Sequence, residues 1–206
     1  MNEAVILDKP LDLTRSKRLK AATNTTHEGL DKAIMAGEPF SSRERYALFV
    51  QVQHAFHRDI DALYDDAALD ALLPDLAGRR RIGQIERDLV DLGVETLPFE
   101  VPPAFNAGGS IDLPTALGWL YVAEGSNIGA AFLLKWAKDK LGLSEIFGAR
   151  HLAGAPEGRG LHWKTFTAAL DAVPLSDEEE ARVIAGAEAA FRRVHGLVKE
   201  VYPAVR

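Results

Sequence analysis

Apolar residues in this chain recur at steps of three and four almost from end to end, and no segment sustains the two-residue alternation of a half-buried strand. That pattern restricts the architecture to an all-α one. The clearest stripe is Tyr46, Phe49, Val50, Gln53, Phe56, Ile60 and Leu63. It predicts an amphipathic helix over 43–65, opened by a capping box of Ser41 and Glu44. An earlier helix is expected from Thr14 to Ala36, stopped by Gly37 and Pro39. A third, over 75–92, turns Leu76, Ile82, Ile85, Leu89 and Leu92 inward and Arg79, Arg80, Arg81 and Arg87 outward, and ends at Gly93. Residues 94–111, with Pro98, Pro102, Pro103, Gly108 and Gly109, read as an irregular connection. Asp112 as N-cap and Pro114 in the first turn open a helix to Leu141. Loop is expected over 148–160 and helix over 161–172. Ser176 and Glu179 form a capping box for a last helix ending before Pro203. At 206 residues the chain suits a single domain over 1–206, with 1–12 extended or flexible.

Composition narrows the chemistry. Cys is absent, which excludes disulfides, thiolate zinc sites, Fe–S clusters, Cys nucleophiles and thiolate-ligated haem. Lys and Arg number 24 against 30 Asp and Glu, a net charge of −6, which argues against coating nucleic acid or an anionic membrane. An anionic ligand would have to be held by locally placed cations. No run approaches the roughly 20 apolar residues of a membrane span, and Met1 to Pro10 does not read as a signal peptide. No membrane insertion and a cytoplasmic location are the expectations.

Several catalytic devices are missing: G-x-S-x-G, a complete G-x-G-x-x-G, a Walker A and H-E-x-x-H. His54 and His57 lie three apart on one helix, but in a polar run with no matched carboxylate set, which favours a non-ligand role. Lys20 and His27 are more informative. Seven residues apart, they sit two helical turns, about 10.5 Å, from each other on one side. An imidazole and an ammonium so placed suit a flat ligand with a metal at its centre and carboxylates at its rim. Asp31, one turn on, is placed to accept Nδ1–H from His27 and leave Nε2 free. Gly125 and Gly129 fall four apart inside a predicted helix, each costing about 1 kcal/mol against Ala. They strip one face of side chains and invite a kink. Either a neighbouring helix or a ligand comes close there, and Ser126 and Asn127 add polar groups that a packing face does not need.

Three motifs together resemble the haem oxygenases, most closely the bacterial biliverdin-producing type. They are the L-K-x-A-T-x-x-x-H pattern from Leu19 to His27, the run Tyr121-Val-Ala-Glu-Gly125-Ser-Asn-Ile-Gly129-Ala-Ala-Phe-Leu, and Arg182 to Phe191 as the final helix, in order across residues 15–200. The resemblance implies a single-domain helical fold with haem held between a proximal and a glycine-kinked distal helix. His27 would be the proximal iron ligand, with Asp31 behind it. Lys20 and Lys164 would pair with the propionates, Gly125 and Gly129 would lie over the iron, and Phe191 would line the pocket. Ser126, followed by Asn127, stands where many members carry an Asp that orders a water network. The implied activity uses haem b as both cofactor and substrate, with O2 and electrons from an external reductase or ferredoxin. It cleaves the ring at a meso carbon to biliverdin, carbon monoxide and ferrous iron, for iron acquisition or chromophore supply. A non-catalytic haem carrier or sensor with the same pocket is the alternative, and a bare strip of glycines argues against it. The run Arg79-Arg80-Arg81 reads as a solvated helix face, with reductase docking as a second role.

Overall fold

The computed structural model describes residues 13–98 and 102–202. The expectation for 1–12 lies outside them, as do residues 99–101 of the irregular connection. Seven helices follow in order among the described residues: α1 (Arg15–Ala36), α2 (Arg43–Ile60), the short α3 (Ala67–Asp70), α4 (Ile82–Leu92), α5 (Leu113–Leu141), α6 (Arg159–Ala172) and α7 (Asp177–Val201). No strand is present among these residues, and no helix is long and apolar enough to cross a membrane.

The helix ends follow the capping chemistry with two corrections. Asp112 accepts from Thr115 N at 3.1 Å and opens α5, and the Ser176–Glu179 box opens α7 as expected. On α2 the cap is Ser42 rather than Ser41. Ser42 is extended and accepts from Arg45 N, whereas the Ser41 hydroxyl donates to the Glu38 carbonyl. α2 then stops at Ile60, and Asp61–Asp65 tightens into a 3₁₀ turn that keeps Leu63 and Tyr64 buried.

The larger correction concerns 75–92. Only 82–92 is α-helix. Residues Ala77–Arg79 form a 3₁₀ turn, and Arg80 is extended. The cause is Arg79, which is buried rather than outward: its guanidinium donates to Glu124 Oε2 at 2.9 Å and to the Pro74 carbonyl at 2.9 Å. Asp75, with φ at 52°, and extended Arg80 both leave the helical backbone region, so no continuous helix runs through this segment. Arg80 pairs with Asp61 and Asp65, and Arg81 points inward, so the run is neither a solvated face nor a basic docking strip. Arg87 alone of the four is exposed.

α1 is pinned where it begins. Buried Arg15 bridges to Glu180 at 2.7 Å and donates to the carbonyls of Leu170 and Val173 at the end of α6. Ser16 N and Oγ donate to Asp171 at 2.7 and 2.9 Å. α5 and α7 make the most extensive helix pair. They cross where a Cβ on Gly118 would lie 2.6 Å from Ala187 N and closer still to the Val183 carbonyl, and where one on Gly186 would lie 3.0 Å from Thr115 Cα. These two glycines make the close helix contact.

Two apolar clusters share α5 between them. Ala116 to Ala123 belongs to the larger, with α1, α2, α6 and α7; Ala130, Leu134 and Ala137 belong to the smaller, with Phe40, Tyr46, Phe49 and Ile85. Residues 124–129 join neither. The segment of α5 that carries Gly125 and Gly129 therefore spans a gap between two cores, and it does so as one uninterrupted helix.

Candidate active site

That gap opens into a cavity of about 610 Å³, within the size range of small-molecule sites. α1 supplies one wall. The His27 side chain is 57% exposed, with Nδ1 3.3 Å from Asp31 Oδ2. Asp31 lies on the Nδ1 side of the ring, and Nε2 has no partner among the described residues. Phe191, from α7, meets the imidazole edge-on at 5.7 Å between centroids and 83° between planes. Lys20 is exposed and lines the same cavity two turns before His27. Lys164 is exposed on α6 but does not line the cavity; Trp163, one residue earlier, does. A helix turns 100° per residue, and that rotation separates the two.

α5 supplies the facing wall. A Cβ on Gly125 would meet only the Trp163 ring at 3.5 Å, and one on Gly129 would meet nothing within 4 Å. Close helix packing falls to Gly118 and Gly186, so the Gly125–Gly129 strip answers to the cavity. Ile128 and Phe132 beside it are 41% and 69% exposed, an apolar surface that a ligand would cover. The Ser126 hydroxyl donates to the Ala123 carbonyl at 2.7 Å, and buried Asn127 accepts at its own carbonyl from Arg159 Nη1 at 2.8 Å.

A third, polar flank was not singled out by the sequence reading. Gln53, His57, Arg81 and His151 all line the cavity. His57 is buried, and its burial, reinforced by the nearby charges of Arg81, His151 and His54, pushes its pKa down to about 3. His151 Nδ1 donates to the Asp88 carboxylate at Oδ2, 2.7 Å away; burial lowers the His151 pKa against the pull of Asp88. Burial by itself would raise the Asp88 carboxyl, but the His151 ring and the backbone N–H groups of His151 and Arg150 hold it below the ordinary range. The signal for this flank was present: Gln53 and His57 fall four apart on the apolar stripe of α2. Two polar residues on an apolar face mark a wet spot in the interior. Tyr121 and Trp163 also line the cavity, their rings 5.5 Å apart. No group of three or more His, Asp or Glu among the described residues could hold a metal ion, and His54 instead faces Glu86 at 3.8 Å.

The donors therefore comprise one accessible imidazole backed by a carboxylate, a facing strip of bare backbone, a cation at the edge and apolar surface between. This arrangement suits a flat, largely apolar ligand with a metal at its centre and a negative charge at its rim.

Residues 13–200 match the family model described as "Heme oxygenase". The heme oxygenase PigA of Pseudomonas aeruginosa is 43% identical over 190 residues, 91% of this chain and 93% of that protein. Among solved structures, the NO- and CO-bound heme oxygenase of Neisseria meningitidis superposes with a TM-score of 0.86 at 41% identity, covering 93% of each chain. The heme oxygenase of Leptospira interrogans shares the fold alone, with a TM-score of 0.71 at 17% identity over 91% of this chain and 100% of that one.

Proposed function

Since this chain belongs to the haem oxygenase family, we propose that it binds haem b between His27 and the Gly125–Gly129 strip. It cleaves the ring at a meso carbon to biliverdin, carbon monoxide and ferrous iron. O2 and electrons from an external reductase or ferredoxin complete the reaction. The observation that carries this reading is the pairing, in one cavity, of an accessible His27 with glycines whose missing side chains face open space.

Bound haem supplies the oxygen chemistry; the protein positions the ring and handles protons. His27 Nε2 would be the iron ligand, with Asp31 beside Nδ1 biasing the tautomer that leaves Nε2 free. As a neutral imidazole, His27 would donate less electron density to the iron than a thiolate would. Lys20 offsets a propionate charge at the rim, and Phe191 and Trp163 bound the apolar part. Gly125 and Gly129 leave room over the ring for a small ligand. The Ser126 hydroxyl proton is committed to Ala123, so Ser126 serves as an acceptor toward the cavity and not as a proton donor. Proton handling then falls to the polar flank.

Hemin titrated into the purified protein should give a Soret band at one equivalent. Reductant in air should then bleach it and leave a biliverdin spectrum. A haem complex that survives reductant and air would make the protein a carrier, and no Soret shift at all would remove haem from its function.

A further inference from the structure

Residues 124–129 of α5 join neither apolar cluster, and with Gly125 and Gly129 bare, side-chain packing contributes little to where this stretch sits. Polar bonds from outside the helix hold it instead. The Glu124 carboxylate accepts from Arg79 at 2.9 Å, which anchors the start of the stretch. The Ser126 hydroxyl bonds within α5 itself and anchors nothing. At the centre, between the two glycines, the Asn127 carbonyl accepts from Arg159 Nη1 at 2.8 Å. A carbonyl oxygen has two lone pairs, so α5 continues through Asn127 while Arg159 takes the second.

The other arm of the same guanidinium, Nη2, donates to the Leu152 carbonyl. Asn127 lines the main cavity on the α5 wall and Leu152 lines it next to His151 of the polar flank, whereas Arg159 does not line it. One planar fork therefore ties the glycine strip, from behind, to the 3₁₀ turn Arg150–Leu152. The stem of Arg159 is braced as it passes Gly154, where a Cβ would lie 3.4 Å from Cγ and 3.5 Å from Nε. Arg159 forms no ion pair among the described residues; its side-chain hydrogen bonds go to main-chain carbonyls alone. A half-buried cation without a carboxylate beside it gives up solvation. What it obtains here is two charge-assisted bonds to backbone, the pattern of a clamp and not of charge balance.

We propose that Arg159 is a positioning residue for the reaction. By fixing the Asn127 carbonyl relative to Leu152, it sets where the Gly125–Gly129 backbone stands over the bound ring, without itself touching the ring. The role in the reaction rests on the haem reading; the tie between the two walls does not. Without the fork, α5 keeps its packing in both cores, and the stretch between them loses its central anchor. A misplacement of about 1 Å can slow a positioned reaction a hundredfold. Binding depends on His27 and Lys20, on the other side of the cavity, and is left nearly intact.

Hydrogen exchange of the haem-free protein and kinetics of the haem complex test the two halves separately. In Arg159→Met, amides over 124–133 should exchange roughly tenfold faster than in the parent, with those of α7 unchanged. Parental exchange over 124–133, or equal acceleration in α7, would overturn the tie whatever the protein does with haem. Loaded with haem, Arg159→Met should bind hemin within about threefold of the parental affinity and open the ring roughly tenfold more slowly. The CO stretching band of its ferrous complex should broaden, because the backbone above the ring no longer has one position. A parental rate, an unchanged band, or hemin affinity falling in step with rate would overturn the positioning role. Arg159→Lys keeps the charge without the planar fork, so it should show the same changes at about a third of their size. It decides the matter if Arg159→Met does not fold. Failure of hemin to bind any form, the parent included, removes the haem reading and leaves hydrogen exchange to judge the tie by itself.

Discussion

His27 is a histidine left in the open, with a partner, Asp31, that is itself 61% exposed. Exposed pairs of this kind contribute about 0–1 kcal/mol, so the fold has little use for them. His27→Ala should therefore unfold in urea within about 0.5 kcal/mol of the parent, yet lose the histidine-ligated spectrum of the haem complex, with added imidazole restoring it. A large loss of stability would make His27 a structural residue instead. His27, Lys20 and Asp31 were legible because their relation is internal to one helix, where spacing alone dictates which side chains share a face. Arg79 was not: its partner Glu124 lies 45 residues away, and nothing local distinguishes a guanidinium bound for burial from one bound for water. Lys164 shows how sharp the limit is, since one position along α6 is the difference between Trp163 in the cavity and Lys164 outside it.

Among helices, four glycines with the same local cost have opposite roles. Gly118 and Gly186 are where α5 and α7 touch backbone to backbone, whereas Gly125 and Gly129 face the cavity. Gly118→Ala should destabilise the protein by about 1–3 kcal/mol through overpacking against backbone that cannot give way. Gly129→Ala should stabilise the haem-free protein by about 0.5–1 kcal/mol, the helix-propensity gain with nothing in the way. Thermal unfolding of the two variants side by side decides the matter, and equal effects would mean that the cavity face is packed. The spacing singled out Gly125 and Gly129 but could not say whether a helix or a ligand met them, and Gly118 and Gly186 carried no such signal, because their contact depends on how α5 and α7 cross. The starts of α5 and α7 were readable from Asp112 and the Ser176–Glu179 box. The early ends of α2 and of the helical pattern before Ile82 were not, since the buried Arg79–Glu124 pair and the packing of Leu63 and Tyr64 override periodicity there.

At the level of the whole molecule, the order of the long helices followed from apolar periodicity, and the two-core arrangement did not, because it depends on which helices meet. One consequence of this packing is a set of interior histidines with a definite acid response. His57 and His151 are held neutral by burial, with folded pKa values below the ordinary 6.5, about 3 for His57. Below pH 6.5 the unfolded chain takes up protons that the folded one refuses, so stability falls as pH drops toward those folded values. His162 works the other way. Its contact with Glu124, helped by Glu157 and opposed by burial, raises its pKa, so its contribution is full below pH 6.5 and fades as pH climbs through the folded value. Urea unfolding of the haem-free protein should show a maximum near pH 6.5, declining by about 1–3 kcal/mol per pH unit on the acid side. His57→Gln should roughly halve that decline, and an unchanged slope would mean that His57 titrates normally in the folded protein. The crossing of α5 with α7 carries a mechanical consequence as well. Eleven residues of α5, a rigid arm of about 16 Å, separate the fulcrum at Gly118 from Gly129. A tilt of roughly 5° about that point moves the arm's end by about 1.4 Å. The jaw that closes on a plate-shaped ligand can thus be adjusted by a few degrees of rotation at a distant pivot, with no side chain at the grip having to change its rotamer.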